Sequence, residues 1–510
     1  MMKTAIKSQM RSRIPARVLC LAPRASLSAL AAACLLSACS VPSLSHAPDL
    51  AQPAVPQAWS QSGGSAASAV QADWWKAFGD SALSDWVELA LLRNNDVLTA
   101  MARVDEARAN LDIAGSASAP QVSLSAPGSA NRSMSARTGQ MVHVRSAQPV
   151  LQASWELDLW NRLGSLSQAA QQRLQASQAD QDAVRLTVSA TTAQTYIGLR
   201  SLQAQQAVAQ STVKSRENAV RLLGDQVRVG YISQLQLSQA LAELESVRQS
   251  VQQLSLATER QRIALMQLVG GVGDEQAQAL MQRTLNGMSS VTPEQLGTKV
   301  LDRIQLPEMP ATGLPSALLE RRPDIARAQL QLAATDSNLA AQRAAFLPQV
   351  SLSANFGSLF INALDYNPAR VWSLGGSILA PLFTGGRLQG QFDAASAQRD
   401  QAAYAYRGVV IKAFGDVETA LVSSQQLQSQ WLHAKEREKI LSATLGFAKD
   451  RYDAGYASYL EELDAQRNLF AVQQEVVRLR QTQLENAVAL YQALGGGWQR
   501  AADGKADPQP

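Results

Sequence analysis

An internal repeat constrains the fold of this 510-residue chain more than any other feature of its sequence. The heptapeptide PQVSLSA occurs at 120–126 and again, unchanged, at 348–354. Glycine pairs farther along repeat at nearly the same separation, Gly230 with Gly455 and Gly270 with Gly495. The repeats of a solenoid are several-fold shorter. The long period therefore predicts a duplicated domain, with one copy at 73–271, the other at 314–498 and a linker at 272–313.

Each copy contains a stretch whose hydrophobic period is two, which is typical of strands. In the second copy Leu352 and Phe356 alternate with polar or small residues, and we expect a strand hairpin at about 348–383. In the first copy we expect a hairpin at about 119–158, in which 127–146 looks like a long polar loop. A soluble, half-buried hairpin would show the same alternation, but aromatic residues near the strand ends favour membrane strands. These candidate interface residues are Trp155, Trp160, Trp372 and Phe383.

Long segments free of proline follow both hairpins. No proline occurs from 150 to 292 or from 382 to 507. Because proline inside a helix breaks it, these segments permit very long helices. We predict one helix at about 162–229 and its counterpart at about 387–454, each of which would reach roughly 100 Å if unbroken. A soluble coiled coil would contain such helices too, but it would not account for the hairpins.

The segment 1–38 reads as a secretory signal, because a basic, polar start is followed by the short apolar run ASLSALAAACLL. The run leads into Leu36-Ser37-Ala38-Cys39, which resembles a bacterial lipobox. We therefore expect cleavage before Cys39 and a covalent lipid on that residue. The alternative is an ordinary signal peptide with an incidental cysteine. The Ser/Pro/Ala-rich segment 39–72 has the composition of a tether, and 499–510 forms a C-terminal tail. The other two cysteines lie in the removed segment, so we expect no internal disulfide and no cofactor besides the lipid.

The charge balance gives no support to a nucleic-acid partner. The chain has 46 Lys and Arg against 42 Asp and Glu, but six of the basic residues lie within 1–38. The remaining 40 basic and 42 acidic residues leave a net charge of −2, whereas phosphate binding needs a surplus of cations. The three histidines are isolated, and the sequence has no HExxH, GxSxG or P-loop pattern. We therefore expect neither an enzyme nor a metal site.

The predicted strands are too few to close a pore within one chain. After position 38 the sequence has no apolar run long enough to cross a bilayer as a helix, so no transmembrane helix is expected in the mature chain. Two hairpins supply four strands, whereas known membrane barrels begin at about eight. An open sheet edge cannot face lipid, because its N–H and C=O groups would have no partners. If the hairpins enter a membrane, several chains must share one barrel.

Several short motifs, in the order in which they occur, resemble the outer-membrane factor family of TolC-like efflux channels, in its lipoprotein (NodT-type) branch. Each is weak alone, but together they span nearly the whole mature chain. They are the lipobox, Trp74-Trp75, Asn94-Asn95-Asp96, WELDLW at 155–160, ERRPDI at 320–325, PLF at 381–383, GGR at 385–387, AGY at 454–456, LDAQR at 463–467 and LYQALGGGW at 490–498. Asn161 departs from the family, which usually has glycine at that position.

The resemblance implies an α+β membrane protein that forms a homotrimer. Four strands from each chain would make a twelve-stranded transmembrane β-barrel in the outer membrane, continuous with a long periplasmic α-helical barrel and a mixed equatorial domain. The trimer would be the exit duct of a tripartite efflux pump, with a periplasmic adaptor (membrane fusion protein) and an inner-membrane RND-type transporter as partners. It would pass drugs or other small toxic compounds and contact outer-membrane lipid. A type I protein-secretion channel and a lipid-anchored periplasmic coiled-coil scaffold are the alternatives.

The resemblance also implies a periplasmic gate at the turn between the second long helix and its return partner. Leu460, Glu461 and Asp464 match the constriction positions of the family. The residues that would support the gate turns are Tyr452, Gly455 and Gly230. In a trimer, Glu461 and Asp464 would bring up to six carboxylates to the axis and attract cations, while Leu460 would form an apolar collar. The alternative is an ordinary acidic helix start, stabilised by the helix dipole.

Overall fold

The computed structural model of the protein describes residues 41–43, 48–60, 70–134, 136, 138–286, 301, 303–310, 312–362 and 368–499. The expected signal sequence at 1–38, the expected lipidation residue Cys39, the tail from 500 onward and part of the linker lie outside the described residues. The chain divides into two compact units. The strand unit consists of residues 120–162 and 342–393 with 41–43, and the helical unit consists of the rest of the described chain.

Six strand segments form the sheet of the strand unit: β1 (Gln121–Ser125), β2 (Gly128–Met134), β3 (Met141–Ala147), β4 (Val150–Leu157), β5 (Gln349–Ile361) and β6 (Ala369–Leu379). Their registers show that β1 and β2 continue one line of chain, as do β3 and β4. The interruptions fall at Pro127 and Pro149, which have no N–H to donate to a ladder. Both prolines still accept bonds through their carbonyls, Pro127 from Gln148 N at 2.9 Å and Pro149 from Ser358 N at 3.1 Å. The sheet is therefore an antiparallel meander of four lines, in the order β1/β2, β3/β4, β5, β6.

The prediction of a long polar loop at 127–146 is wrong, because most of that range forms β2 and β3. The two segments pair with each other from Gly128 opposite Ala147 to Met134 opposite Met141. Polar side chains dominate β2, so the apolar alternation that marks a half-buried strand is absent from it. The segment nevertheless forms a strand, because ladder bonds and cross-strand pairs do not require apolar side chains.

The two faces of the sheet differ sharply in chemistry. One row across the meander consists of Leu124, Leu151, Phe356 and Trp372, which lie opposite one another on successive strands. The neighbouring row, on the other face, consists of Ser123, Gln152, Asn355 and Ser373. Phe356 is 61% and Trp372 76% exposed within the single chain. An apolar face of this size needs a covering that a single chain in water does not provide.

The helical unit carries each copy of the repeat as a similar succession of helices. In the first copy these are α1 (Ser81–Arg93), α2 (Asn95–Ser116), α3 (Arg162–Arg228) and α4 (Gln234–Leu268), and α5 (Glu275–Asn286) follows them. In the second copy they are α6 (Leu318–Arg321), α7 (Pro323–Ala344), α8 (Arg387–Asp453) and α9 (Tyr459–Ala493). The long helices α3 and α8 have 67 residues each. In the described part of the chain, none of the helices combines the length and the apolarity that crossing a bilayer requires.

The largest core of the helical unit forms where the segment before α1 packs against the long helices. Trp74 stacks on Tyr491, with ring centroids 5.6 Å apart and 18° between the ring planes. Tyr196 donates its O–H to Asp80 Oδ2 at 3.0 Å, and the other carboxylate oxygen of Asp80 caps the start of α1. The tyrosine hydroxyl is thus paired, so its burial leaves no polar group without a partner.

Arg322, in the ERRPDI motif, ties three helices of the second copy together. Its guanidinium binds both carboxylate oxygens of Asp324 at the start of α7, at 3.0 and 2.7 Å. It also donates to Asp416 Oδ2 of α8 at 3.3 Å and to the carbonyl oxygen of Ala493, the last residue of α9, at 3.1 Å. Although burial opposes ionisation, the bonds and charge of Arg322 hold the pKa of Asp324 below its usual range.

Candidate periplasmic gate and membrane-facing residues

Both turns that join a long helix to its return partner have the same backbone geometry. At the end of α8, Gly455 N donates to Tyr452 O and Tyr456 N donates to Arg451 O, each at 2.9 Å. These two bonds form a Schellman motif, in which the residue after the helix adopts a left-handed conformation that favours glycine. Gly455 has φ +79°, and Gly230 has the same φ at the end of α3. The two predicted glycines therefore end the long helices in the same way.

The three predicted constriction residues share one exposed face at the start of α9. Leu460, Glu461 and Asp464 are exposed, and Leu460 keeps 53% of its surface in the single chain. The opposite face of the helix, represented by Tyr459 and Leu463, is buried against the neighbouring helices. With 3.6 residues per turn, Glu461 and Asp464 fall within about 100° of Leu460 around the helix axis, so the three side chains lie on one side of the helix. The fold thus leaves these side chains free to line a surface shared with other molecules.

The acidic pair in this trio has only weak partners within the chain. Glu461 Oε2 lies 3.8 Å from Arg451 Nη2, and Asp464 Oδ2 accepts a bond from Asn468 Nδ2 at 3.2 Å. Exposed pairs of this kind contribute about 0–1 kcal/mol each. Most of the negative charge on this face therefore remains available to interact with ions or with other chains.

Tyr452 connects the ends of the two long helices. Its O–H donates to Gln226 Oε1, close to the end of α3, at 3.0 Å. Its ring meets the ring of Tyr459 edge to face, with centroids 5.8 Å apart. The residue predicted to support the gate turn therefore contacts both the neighbouring hairpin and the helix that carries the constriction residues.

Glu462 is buried beside this turn and is unlike its two exposed acidic neighbours. Burial raises its pKa, and the negative charge of Asp453 raises it further, while a hydrogen bond from Gln466 Nε2 at 2.9 Å acts in the opposite direction. The buried Glu462 carboxyl is thus the acid at the turn whose ionisation is opposed by the fold.

A buried arginine near the predicted gate is a feature that the sequence analysis missed. Arg216 of α3 has only 2% of its side chain exposed, and its Nη2 lies 3.4 Å from Glu243 Oε1 of α4. Glu243 Oε2 in turn accepts a bond from Arg467 Nε of α9 at 2.7 Å. None of the guanidinium nitrogens of Arg216 has a hydrogen-bond partner among the described residues. Burial lowers the pKa of Arg216, and Glu243 opposes that effect.

The sequence contained one signal that could have identified this arginine. Arg216 lies seven residues before Leu223 of the buried cluster at the turn and four residues before Val220, which packs against that cluster. That spacing continues the inner seam of α3. A charged residue at a seam position predicts either a buried ion pair or a break in the packing.

The four predicted interface aromatics fall in different parts of the strand unit. Trp155 and Trp372 lie within β4 and β6, on the apolar face of the sheet. Trp160 and Phe383 follow the ends of β4 and β6, and Trp160 Nε1 donates to Pro348 O at 2.7 Å. All four side chains are exposed in the single chain. The structure thus brings Trp160 and Phe383 to one end of the sheet and keeps Trp155 and Trp372 within it.

Comparisons with known proteins agree with the repeat. A model of the family described as "Outer membrane efflux protein" matches residues 86–271 and 314–496, one range in each copy. The pyoverdine export outer membrane protein OpmQ of Pseudomonas aeruginosa is 33% identical over 492 residues, which cover 94% of this chain and 98% of that protein. The cation efflux system protein CusC of Escherichia coli is 31% identical over 462 residues, which cover 89% and 96%.

Solved structures give the same result. The chain is similar to the CmeC outer membrane channel of Campylobacter jejuni, with a TM-score of 0.77 at 26% identity over 91% of this chain and 96% of that one. Within the described residues, no group of three or more His, Cys, Asp or Glu side chains could hold a metal ion. The family is one of outer-membrane channels rather than enzymes. Because the family model covers most of the sequence, the chain belongs to the outer membrane efflux protein family.

Proposed function

We propose that three copies of this efflux protein share one barrel and form the outer-membrane exit duct of a tripartite pump. The observation that carries the proposal is the four-line sheet, which has one apolar face, one polar face and two free edges within the described residues. A periplasmic adaptor and an inner-membrane RND-type transporter would deliver the cargo, and energy would enter at the inner membrane. The duct itself conducts passively and carries out no chemical step.

The free edges of the sheet require neighbouring chains. In the part of the chain that the structure describes, β6 pairs only with β5, and the β1/β2 line pairs only with β3 and β4. In lipid, unpaired N–H and C=O groups cost several kcal/mol each, so an edge of 11 residues such as β6 cannot stay open. Three sheets of four lines pair every edge and give about twelve strands, which is within the range of known membrane barrels.

The two faces of the sheet suit a barrel with a wet interior. The polar face, with residues such as Gln152, Asn355 and Ser373, would line the water-filled lumen, and the apolar face would meet lipid. The same exposed apolar face argues against a lipid-anchored soluble scaffold, because such a scaffold would expose Phe356 and Trp372 to water.

The face formed by Leu460, Glu461 and Asp464 supports the proposed gate. Three-fold symmetry would gather three copies of this face around one axis. The carboxylates would repel one another and attract cations, and the leucines would narrow and dewet the closed pore. Tyr452, Gly455 and Gly230 would keep the two helix turns in register while the gate is closed.

The start of the described chain supports the proposed lipid anchor. Arg343 Nε, near the end of α7, donates to the carbonyl oxygen of Pro42 at 3.0 Å. Cys39 precedes Pro42 by three residues in the sequence. β5 begins five residues after α7 ends, at Gln349. Acyl chains on Cys39 would therefore reach the membrane close to the start of a transmembrane strand.

The class of cargo comes from the relatives. OpmQ is named for pyoverdine export and CusC for cation efflux. We propose that the present duct passes small compounds handed over by its transporter, drugs among them. Selection would occur at that transporter, because most side chains on the lumen-facing side of β5 and β6 between Gln349 and Ser377 are small or neutral and polar.

The test is single-channel recording on the protein purified from outer membranes in its lipidated form. We expect a heat-sensitive trimer and discrete conductance steps in planar bilayers. A matched variant carries Leu374→Pro, which removes an N–H in the middle of β6 that points away from β5, toward the free edge. Its control carries Thr138→Pro in the turn between β2 and β3. If Leu374→Pro loses the trimer and Thr138→Pro keeps it, the result supports the shared barrel. A wild-type monomer without conductance refutes it.

A further inference from the structure

The apolar face of the sheet ends in a group of basic side chains at the hairpin end of the strands. Arg370 on β6 lies opposite Ser358, one row beyond the row of Phe356 and Trp372. On β3, Ala147 lies opposite Phe360. Arg145 is two residues before Ala147 on the same strand. Because side chains alternate between the faces of a strand, Arg370 and Arg145 share the face of Phe356 and Phe360.

Two further basic residues extend this group. His143 is two residues before Arg145 and therefore lies on the same face, and Arg132 on β2 is directly opposite His143. All four basic side chains are exposed. The strands β2, β3, β5 and β6 contain no aspartate or glutamate. The group, named here the outer basic patch (Arg132, His143, Arg145, Arg370), thus has no carboxylate neighbour on these strands.

The height of the patch matches a membrane surface. From Val350 to Phe360 the apolar face of β5 extends over ten residue steps. At about 3.3 Å per residue and a tilt of about 40°, this stretch is roughly 25 Å tall, which is the height of the apolar band of outer-membrane barrels. Arg370, opposite Ser358, lies within this band near its hairpin end. The rows that contain Arg145 and Arg132 lie just beyond Phe360, outside the band. The patch therefore lies where lipid headgroups begin.

The backbone holds this end of the sheet in place. Arg145 N donates to Asn362 Oδ1 at 2.7 Å, and Asn362 N donates to Arg145 O at 3.1 Å. Asn362 Nδ2 also donates to His143 O at 3.0 Å. These bonds fix β3 beside the end of β5, so the backbone that carries Arg145 and His143 is in place before any ligand arrives.

We propose that the outer basic patch binds the phosphate groups of glycolipids in the outer leaflet, with lipid A as their representative. Guanidinium groups bind phosphate through paired, charge-assisted hydrogen bonds. On the lipid-facing side of a barrel, positive side chains at the headgroup level cost little and gain a partner that lipid tails cannot supply. The proposal rests on the proposed function, because that function puts the hairpin turns outside the cell and this face toward lipid.

The experiment compares lipid A with its dephosphorylated form on the purified, lipidated trimer. Native mass spectrometry counts the bound lipids as each is titrated. We expect lipid A to bind the wild-type trimer about ten-fold or more tightly than the dephosphorylated lipid. We expect Arg132→Gln/Arg145→Gln to lose most of that preference, and the single variant Arg370→Gln to lose part of it. Arg221→Gln, on the exposed surface of α3, should behave as the wild type.

Equal binding of the two lipids to the wild type, or an unchanged preference in both variants, overturns the proposal. The single variant keeps the test decisive if the double variant does not assemble. A trimer that forms and conducts but shows no preference for phosphate refutes this inference and leaves the proposed function intact. A chain that forms no membrane trimer refutes both.

Discussion

Glu243 balances the charge of the buried Arg216, and removing its carboxylate is the most informative change near the proposed gate. In Glu243→Ala, Arg216 would keep its charge in a site with 2% exposure and lose the carboxylate that lies 3.4 Å from its guanidinium. Arg467 would lose its 2.7 Å bond at the same time. Breaking a buried ion pair in this way typically costs about 3–5 kcal/mol. Because the contact is long and Glu243 keeps 14% of its side chain exposed, we expect the lower end, about 3 kcal/mol.

Hydrogen exchange on the assembled protein measures this effect locally. A loss of about 3 kcal/mol raises the opening equilibrium roughly a hundred-fold, so amides of α3, α4 and α9 around the turn should exchange faster by that factor. The control is Glu217→Ala. Glu217 follows Arg216 on α3, and its replacement removes an exposed ion pair with Arg248. We expect that control to cost about 0–1 kcal/mol.

A second variant separates the charge from the packing. Arg216→Met removes the buried charge and keeps most of the volume of the side chain, and such replacements are often neutral or stabilising. In Arg216→Met/Glu243→Ala, exchange at the turn should return close to the wild-type rate. The reasoning is refuted if Arg216→Met alone is as damaging as Glu243→Ala, or if the double variant shows no recovery.

Three further predictions concern the proposed gate turn and the ERRPDI motif. Replacing Glu461 and Asp464 by alanine should raise single-channel conductance and weaken block by multivalent cations, whereas unchanged currents would contradict the pore assignment. The raised pKa of Glu462 means that its contribution to stability is present below its unfolded pKa of about 4.5 and is lost as pH rises through the folded pKa. Glu462→Gln, which cannot ionise, should therefore raise the thermal midpoint at pH 7.5 but not at pH 4. An equal shift at both pH values would contradict this. Arg322→Ala should destabilise the helical unit by about 3 kcal/mol, because Asp324 and the end of α9 lose their partner; chemical unfolding that stays within about 1 kcal/mol of the wild type would contradict it.

The sequence allowed the long helices to be predicted closely because the controlling signal is local. Proline is absent over each segment, and the structure has helices at Arg162–Arg228 and Arg387–Asp453 against expected ranges of 162–229 and 387–454. The glycines that end these helices were also recognisable, because a left-handed residue after a helix favours glycine. Both features depend on neighbours in the chain rather than on the tertiary fold.

The features that escaped prediction depend on contacts that the local sequence pattern does not reveal. The polar strands β2 and β3 resemble a loop because the stability of a strand pair comes from its ladder, and the ladder is not visible in composition. Arg216 resembles any solvated helix cation until α4 and α9 cover it. The seam spacing of Arg216 with Leu223 was the one local indication of its burial.

The exposed face of Leu460, Glu461 and Asp464 is an intermediate case. Their spacing puts them on one side of a helix, and the structure has them exposed beside a buried face formed by Tyr459 and Leu463. The sequence and the single chain agree on this arrangement. The role of the face as a pore constriction stays a prediction, because it requires the neighbouring copies.

The central claim is that one chain cannot complete its own sheet, and the mass of the purified complex tests that claim most directly. The measurement is native mass spectrometry of the lipidated protein extracted from outer membranes in mild detergent. The account predicts a single species with the mass of three mature, acylated chains, which dissociates to monomers on heating. A species that keeps the mass of one chain over the full range of protein concentrations, with β6 protected from hydrogen exchange, would contradict it.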